Sequence, residues 1–118
     1  MGDFSDKRVV ISGASRGIGE SIAKLFAADG GKVVCAARTL REGEHQRAGS
    51  LETTVDAIRT AGGEATAVAA NISVPEECEA MVQATHDTYG SVDILVNNAA
   101  LMYPVATKDY QLNRWMRT

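Results

Sequence analysis

The run Ser12-Gly13-Ala14-Ser15-Arg16-Gly17-Ile18-Gly19 stands between the β-branched stretch Val9-Val10-Ile11 and a segment whose apolar residues recur with helical period. A strand, a glycine turn and a helix therefore meet there. The first turn of a helix has N–H groups without intrahelical partners and the positive end of the helix dipole, so a phosphate can settle on it if no side chain blocks the approach. Gly13, Gly17 and Gly19 leave that approach clear.

The rest of the chain repeats the alternation. Arg8 to Ser12 reads as a strand, and Ile18, Ile22, Leu25 and Phe26 form one helical stripe that Asp29-Gly30-Gly31 ends. Lys32 to Ala37 is an almost unbroken apolar run, as expected of a strand covered on both faces. Arg38 to Ser50 is a polar loop. Leu51, Val55, Ile58 and Ala61 make a second helical stripe stopped by Gly62-Gly63, and Ala65 to Ala70 reads as a weaker third strand. Ser73 is expected to cap the next helix, with Glu76 completing a capping box and Pro75 in the first turn. Cys78, Met81, Val82, Thr85 and Tyr89 are its expected inner face. Val92 to Val96 reads as a fourth strand ending at Asn97-Asn98, and Leu112 to Thr118 as the start of another helix.

Strands and helices alternating through short links imply a parallel sheet. The expected architecture is α/β, a Rossmann-type doubly wound sheet of which this chain supplies the N-terminal half, about four strands. Ligands of such sheets bind beyond the carboxyl ends of the strands, where the winding direction reverses, and the glycine run lies at one such end.

Composition narrows what the ligand can be. The chain has 118 residues, 45% of them hydrophobic, which suits one domain with its own core. Twelve basic residues against 15 acidic ones give a net charge of −3, so no broad cationic field invites nucleic acid or an anionic membrane. Any anion site must be local. Cys35 and Cys78 lie far apart inside expected regular elements and read as reduced, buried core thiols, which points to the cytoplasm. No apolar run approaches the ~18 residues of a membrane helix, and no metal-ligand spacing occurs.

The glycine spacing excludes two common phosphate motifs. A P-loop needs a Gly-Lys-Ser/Thr ending that the chain lacks, and Gly-x-Gly-x-x-Gly fails because Ile22 stands where a third glycine is required. What remains is Gly-x-x-x-Gly-x-Gly, and a second motif, Asn97-Asn98-Ala99-Ala100, closes the fourth strand. Together they resemble the short-chain dehydrogenase/reductase family, whose patterns at these places are Thr-Gly-x-x-x-Gly-x-Gly and Asn-Asn-Ala-Gly. Ser12 keeps the hydroxyl of the usual threonine, and Ala100 adds a methyl where glycine is usual. The longer loop after the second strand, with Ala37-Arg38-Thr39 and Gly49-Ser50-Leu51, is similar to the hydroxysteroid-dehydrogenase-like and terpene-alcohol dehydrogenase subgroup.

The resemblance implies an NAD(P)-binding domain over residues 1–118 and a cofactor site on Gly13, Ser15, Arg16, Gly17, Ile18, Gly19, Arg38, Asn71, Ile72, Asn98, Ala99 and Ala100. In it, Ser15 and Ile18 line the pyrophosphate turn, Asn71 and Ile72 meet the adenine, and Asn98 and Ala99 meet the adenosine ribose. An acidic residue at the end of the second strand would select NAD; Arg38 stands there instead, with Arg16 in the turn as a second cation, so NADP is expected over NAD. The alternative is that both arginines are solvated surface groups. Likewise Asn97-Asn98 can be a strand-ending turn pair, and Arg41 to Arg47 a solvated mixed-charge loop.

The family's acid/base tyrosine is followed four residues later by lysine. Here Asp93, Thr107 and Arg114 follow Tyr89, Tyr103 and Tyr110 at that distance, so no catalytic residue is assigned. Two readings stand. In one, the chain is the amino-terminal half of an NADP-dependent oxidoreductase acting on an alcohol or carbonyl compound, ending before the catalytic half. In the other, it is an inactive module that binds a nucleotide or another subunit. In the first case Ile94, Leu95 and Val96 border a missing parallel neighbour, leaving an unpaired apolar edge that should aggregate or self-associate, whereas a stable monomer would argue for the second. A homo-oligomer is expected of the whole protein. The apolar stretch Ala99 to Val105 suggests an apolar substrate.

Overall fold

A computed structural model of the chain describes residues 2–101 and 104–117. Met102 and Tyr103 of the expected substrate wall, and Thr118 of the final helix, lie outside the described residues. The elements are β1 (Arg8–Ser12), α1 (Gly17–Ala28), β2 (Lys32–Ala37), α2 (Leu51–Thr60), β3 (Glu64–Ala69), α3 (Pro75–Tyr89) and β4 (Ile94–Val96), then a 3-10 turn at Thr107–Asp109 and a short α4 (Leu112–Trp115). The strands form one parallel sheet in the order β3-β2-β1-β4. The chain winds outward from β1 through β2 to β3, then returns to place β4 on the other side of β1. The winding thus reverses between β1 and β4, as a doubly wound sheet requires.

Alternate residues of the strands feed two cores. Val9, Ile11, Val33, Cys35 and Ala65 join Ala23 and Ala27 of α1 and Leu51, Val55 and Ile58 of α2. Val10, Val34 and Ala36 point the other way, where Met81 of α3 meets them. Burial pushes the Cys35 thiol up to about 12, so it stays protonated and packs as a small apolar group.

Helix α1 buries a different stripe from the one its large residues suggest. Gly19, Ala23 and Ala27 face the sheet, with Ile22 and Phe26 partly buried beside them, while Ile18 and Leu25 are 74% and 70% exposed. Small residues at i, i+4 and i+8 let the helix axis approach the strands, and that closeness pushes the larger neighbours outward. Helix α3 also departs from expectation. Its N-cap is Val74 with no side-chain cap, because Ser73 is turned back onto Asn71: the Asn71 Oδ1 accepts from the Ser73 N–H at 3.0 Å and from its hydroxyl at 2.6 Å. Glu77, not Glu76, reaches back, accepting from the Asn71 N–H at 3.0 Å. Of the expected inner face, Met81 and Thr85 are buried, Cys78 and Tyr89 are half-buried, and Val82 is exposed. The third strand runs one residue earlier than expected, and the fourth contracts to three residues, preceded by Asp93, whose N–H donates to the Arg8 carbonyl while its carboxylate accepts the Arg8 N–H.

The two outer strands are treated differently. On β3, Arg59 donates from Nε (3.1 Å) and Nη2 (2.8 Å) to the carbonyl of Ala65. Among the described residues no such guard stands on the outer edge of β4, whose Leu95 is half exposed.

Asp93 anchors the entry to β4. Its carboxylate accepts from the Arg8 N–H at 2.8 Å and pairs with the guanidinium at 3.6 Å, and these contacts, the N–H bond foremost, hold its carboxyl below the usual carboxylate range. A lowered folded-state pKa contributes stability that is present above the unfolded value, about 3.9, and is lost as pH falls through the folded value. Acid titration of the midpoint of urea unfolding should therefore show a loss below about pH 4 that is smaller in Asp93→Asn; an identical acid profile in the variant would remove Asp93 from the account.

Candidate cofactor site

The carboxyl ends of β1 and β4 are tied together where the winding reverses. Ser12 is nearly inaccessible, and its Oγ accepts the N–H groups of Asn98 (3.2 Å) and Ala99 (3.1 Å). The Asn98 amide returns the contact, donating from Nδ2 to the carbonyls of Ser12 (3.1 Å) and Gly13 (3.2 Å). Polar backbone groups of both strand ends are thereby satisfied in a half-buried corner. Asn98 thus acts first as a tie between strands, with its side-chain N–H groups turned to the glycine turn.

The glycines of the turn serve two different needs. Gly13 has φ +72°, and a Cβ there would lie 2.8 Å from Asn98 Nδ2 and 2.9 Å from the Ala99 Cα. A Cβ at Gly19 would collide with the Gly13 carbonyl oxygen. These two glycines let backbone pack on backbone. Gly17 is the opposite case: φ is +59° and nothing lies within 4 Å of its Cβ position. Its outer side is open surface at the first residue of α1, whose N-cap, Arg16, makes no side-chain capping bond. An anion fits there. The helix start offers its N–H groups, no side chain competes for them, and the residue that faces the opening has none to obstruct it.

The turn is buttressed from the side of β2 and α2. The Ala14 N–H donates to the Ala36 carbonyl at 3.2 Å, and the fully buried Thr54 hydroxyl donates to the Ala14 carbonyl at 2.9 Å. Arg16 turns away from the opening: its Nε donates to the Ala48 carbonyl (3.3 Å) and its Nη2 to that of Gly49 (3.1 Å). Ser15 is buried, so it supports the turn from within, whereas Ile18 is largely exposed at its rim.

The other expected positions lie along the same edge of the sheet. Arg38 follows β2 and is exposed; among the described residues its guanidinium has no hydrogen bond or ion pair. Ile72 follows β3 and is 45% exposed, on a turn that Asn71 holds with the acceptor oxygen expected to meet a ligand. Ala99 is half-buried and Ala100 exposed. Thr54 is a contributor that the sequence did not single out. It matters through a segment distant in sequence, and neither spacing nor composition records which segments become neighbours.

A groove of 420 Å³ lies between the C-terminal ends of α1 and α2, lined by Leu25, Ala57, Ile58 and Gly63 among others. It is at the far end of the strands from the glycine turn. Among the described residues no cluster of His, Cys, Asp and Glu is placed to hold a metal, and no helix is long and apolar enough to cross a membrane.

Comparison with known proteins agrees with this geometry. A sequence profile described as short chain dehydrogenase matches residues 7–118. The 3beta-hydroxysteroid dehydrogenase 1 of Eggerthella lenta is 36% identical over 115 residues, 98% of this chain and 41% of that protein. Hydroxysteroid dehydrogenase-like protein 2 of Xenopus tropicalis is 39% identical over 99 residues, 84% of this chain and 24% of that protein. The chain thus spans well under half the length of these relatives. A metagenomic short-chain oxidoreductase solved in complex with NADP superposes with a TM-score of 0.82 at 30% identity, covering 97% of this chain and 48% of that one.

Ser12 gives a direct test. Ser12→Ala leaves the Ala99 N–H without its acceptor and the Asn98 N–H with the Val96 carbonyl alone, and should cost about 1–3 kcal/mol in urea unfolding. Ser12→Thr, which keeps the hydroxyl, should retain most of that stability; equal losses in both would mean that the hydroxyl is not the cause.

Proposed function

The chain belongs to the short-chain dehydrogenase family, and from that premise we propose that residues 12–19 bind the pyrophosphate of NADP in an oxidoreductase acting on alcohols or ketones. The observation that carries the reading is the open face of Gly17 at the uncapped start of α1, with an unpartnered Arg38 further along the same sheet edge. When bound, the nicotinamide accepts or donates the hydride. This chain's residues grip and orient it. Gly17, Ile18 and Gly19 present the helix start to the pyrophosphate, backed by Gly13 and the buried Ser15. Ile72 offers an apolar face to the adenine from the turn that Asn71 holds. Asn98 and Ala99, fixed to Ser12, border the ribose, and Ala100 lies beyond them on the substrate side.

Cation placement decides the choice of cofactor. A charge-assisted hydrogen bond to the 2′-phosphate is worth about 1.5–3 kcal/mol, or roughly ten- to a hundredfold in affinity. No acidic residue follows β2 to favour NAD instead, and the structural relative solved with NADP supports the same choice. Ala99, Ala100 and Leu101 are small or apolar, which favours an apolar alcohol or carbonyl substrate. Two free cysteines fit a reducing cytoplasm, and a homo-oligomer is the assembly proposed for the whole protein.

The alternative reading is a nucleotide-binding or subunit-interaction module without catalysis. Oxidation of apolar alcohols with NADP by the whole protein supports the enzyme; binding without turnover supports the module. For the cofactor, fluorescence titration should find NADPH bound about tenfold or more tighter than NADH. Tighter NADH would overturn the NADP assignment.

A further inference from the structure

One side chain lies across the outer edge of β3. We infer that Arg59 is a lock on that edge, which keeps β3 from pairing with the β3 of a second copy of this chain.

The ladder shows which backbone groups face outward. β3 runs beside β2 in unbroken register, from Glu64 opposite Lys32 to Ala69 opposite Ala37, and the Ala70 N–H donates to the Ala37 carbonyl at 2.8 Å. Backbone groups alternate sides along a strand, so Thr66, Val68 and Ala70 turn theirs to β2, and Ala65, Ala67 and Ala69 turn theirs away from it. β3 ends the sheet order, so among the described residues no strand receives them. Such a row is a template for another strand, and the usual deterrents are missing from it. Ala65-Thr66-Ala67-Val68-Ala69 has no charge and no proline, and the unbroken register leaves no bulge.

A second β3 laid antiparallel about Ala67 would set Ala67 against Ala67 and Ala65 against Ala69, each pair exchanging both backbone bonds. That arrangement needs the Ala65 carbonyl free to accept the Ala69 N–H of the other copy. Arg59 holds this same carbonyl with two nitrogens, Nε at 3.1 Å and Nη2 at 2.8 Å. Its carrier is fixed beside the strand, because α2 closes in a turn where Gly62, at φ +90°, donates its N–H to the Arg59 carbonyl at 3.0 Å. Glu52 and Asp56 line the same groove as Arg59, yet among the described residues no carboxylate pairs with the guanidinium, which is committed to the edge instead. An approaching strand would have to displace both hydrogen bonds and strip water from a cation.

The test reads association of the whole protein. In sedimentation velocity, the mass of Arg59→Ala should rise with concentration to about twice that of the wild-type assembly or more. Hydrogen exchange at the Ala67 and Ala69 N–H groups should slow about tenfold in the concentrated variant and be independent of concentration in the wild type. Ala67→Pro removes an outward N–H without costing a bond to β2, so adding it to Arg59→Ala should restore the wild-type mass. Arg59→Lys, which keeps a charge on the edge, should hold the wild-type mass. Should Arg59→Ala fold poorly, Arg59→Met keeps the aliphatic stem and should associate in the same way. Wild-type mass in both Arg59→Ala and Arg59→Met would overturn the lock and leave Arg59 as a tie between α2 and β3. Association that persists after Ala67→Pro would run through another surface, the β4 edge included, and would overturn it equally.

Discussion

Everything at the candidate site depends on how β1 is joined to β4. The sheet reverses its winding there, and two strand ends that arrive from opposite directions along the chain must be held in register by something other than the short ladder of β4. The Ser12 hydroxyl and the Asn98 amide do this reciprocally, each satisfying backbone groups of the other's strand. A hydroxyl is suited to the place because it accepts two N–H groups while donating to the Val96 carbonyl at 3.4 Å. Gly13 follows from this tie, since the approach of Asn98 and Ala99 leaves no room for a Cβ. The position of Gly13 in turn fixes where α1 can begin, because Gly19 rests on its carbonyl oxygen.

That sequence of constraints explains why two tight contacts and one open position recur within seven residues. Gly13 and Gly19 are spent on packing the turn against the sheet. Gly17 alone is left facing outward, so the surface available to a ligand is a by-product of how closely the turn is folded on its other side.

Much of this was legible beforehand. Element order, parallel topology and the location of the glycine turn follow from periodicity and from the Gly13, Gly17, Gly19 spacing, because both are local properties of the chain. The failures have two causes. The exposed sides of Ile18 and Leu25 and the engagement of Arg16 with Ala48 and Gly49 are settled by neighbours distant in sequence, whereas the Asn71–Ser73 turn is a local side-chain contact that displaced the expected capping box. Arg16 is the clearest example. Its residue type and place announced a cation beside a phosphate turn, yet a carbonyl pair more than thirty positions away claims it.

The loop between β2 and α2 closes on itself at its base, where the N–H groups of Leu51 and Glu52 donate to the carbonyls of Thr39 and Leu40 at 2.9 and 3.0 Å. Its contacts with the rest of the domain run through its ends and Glu42, and residues 43 to 47 are exposed throughout. Length added at that tip is therefore uncoupled from the turn. Doubling a flexible loop costs only about 0.6 kcal/mol in closure entropy, so this is where related chains can differ in size, or an experimenter can insert a reporter, without altering the geometry at Gly17.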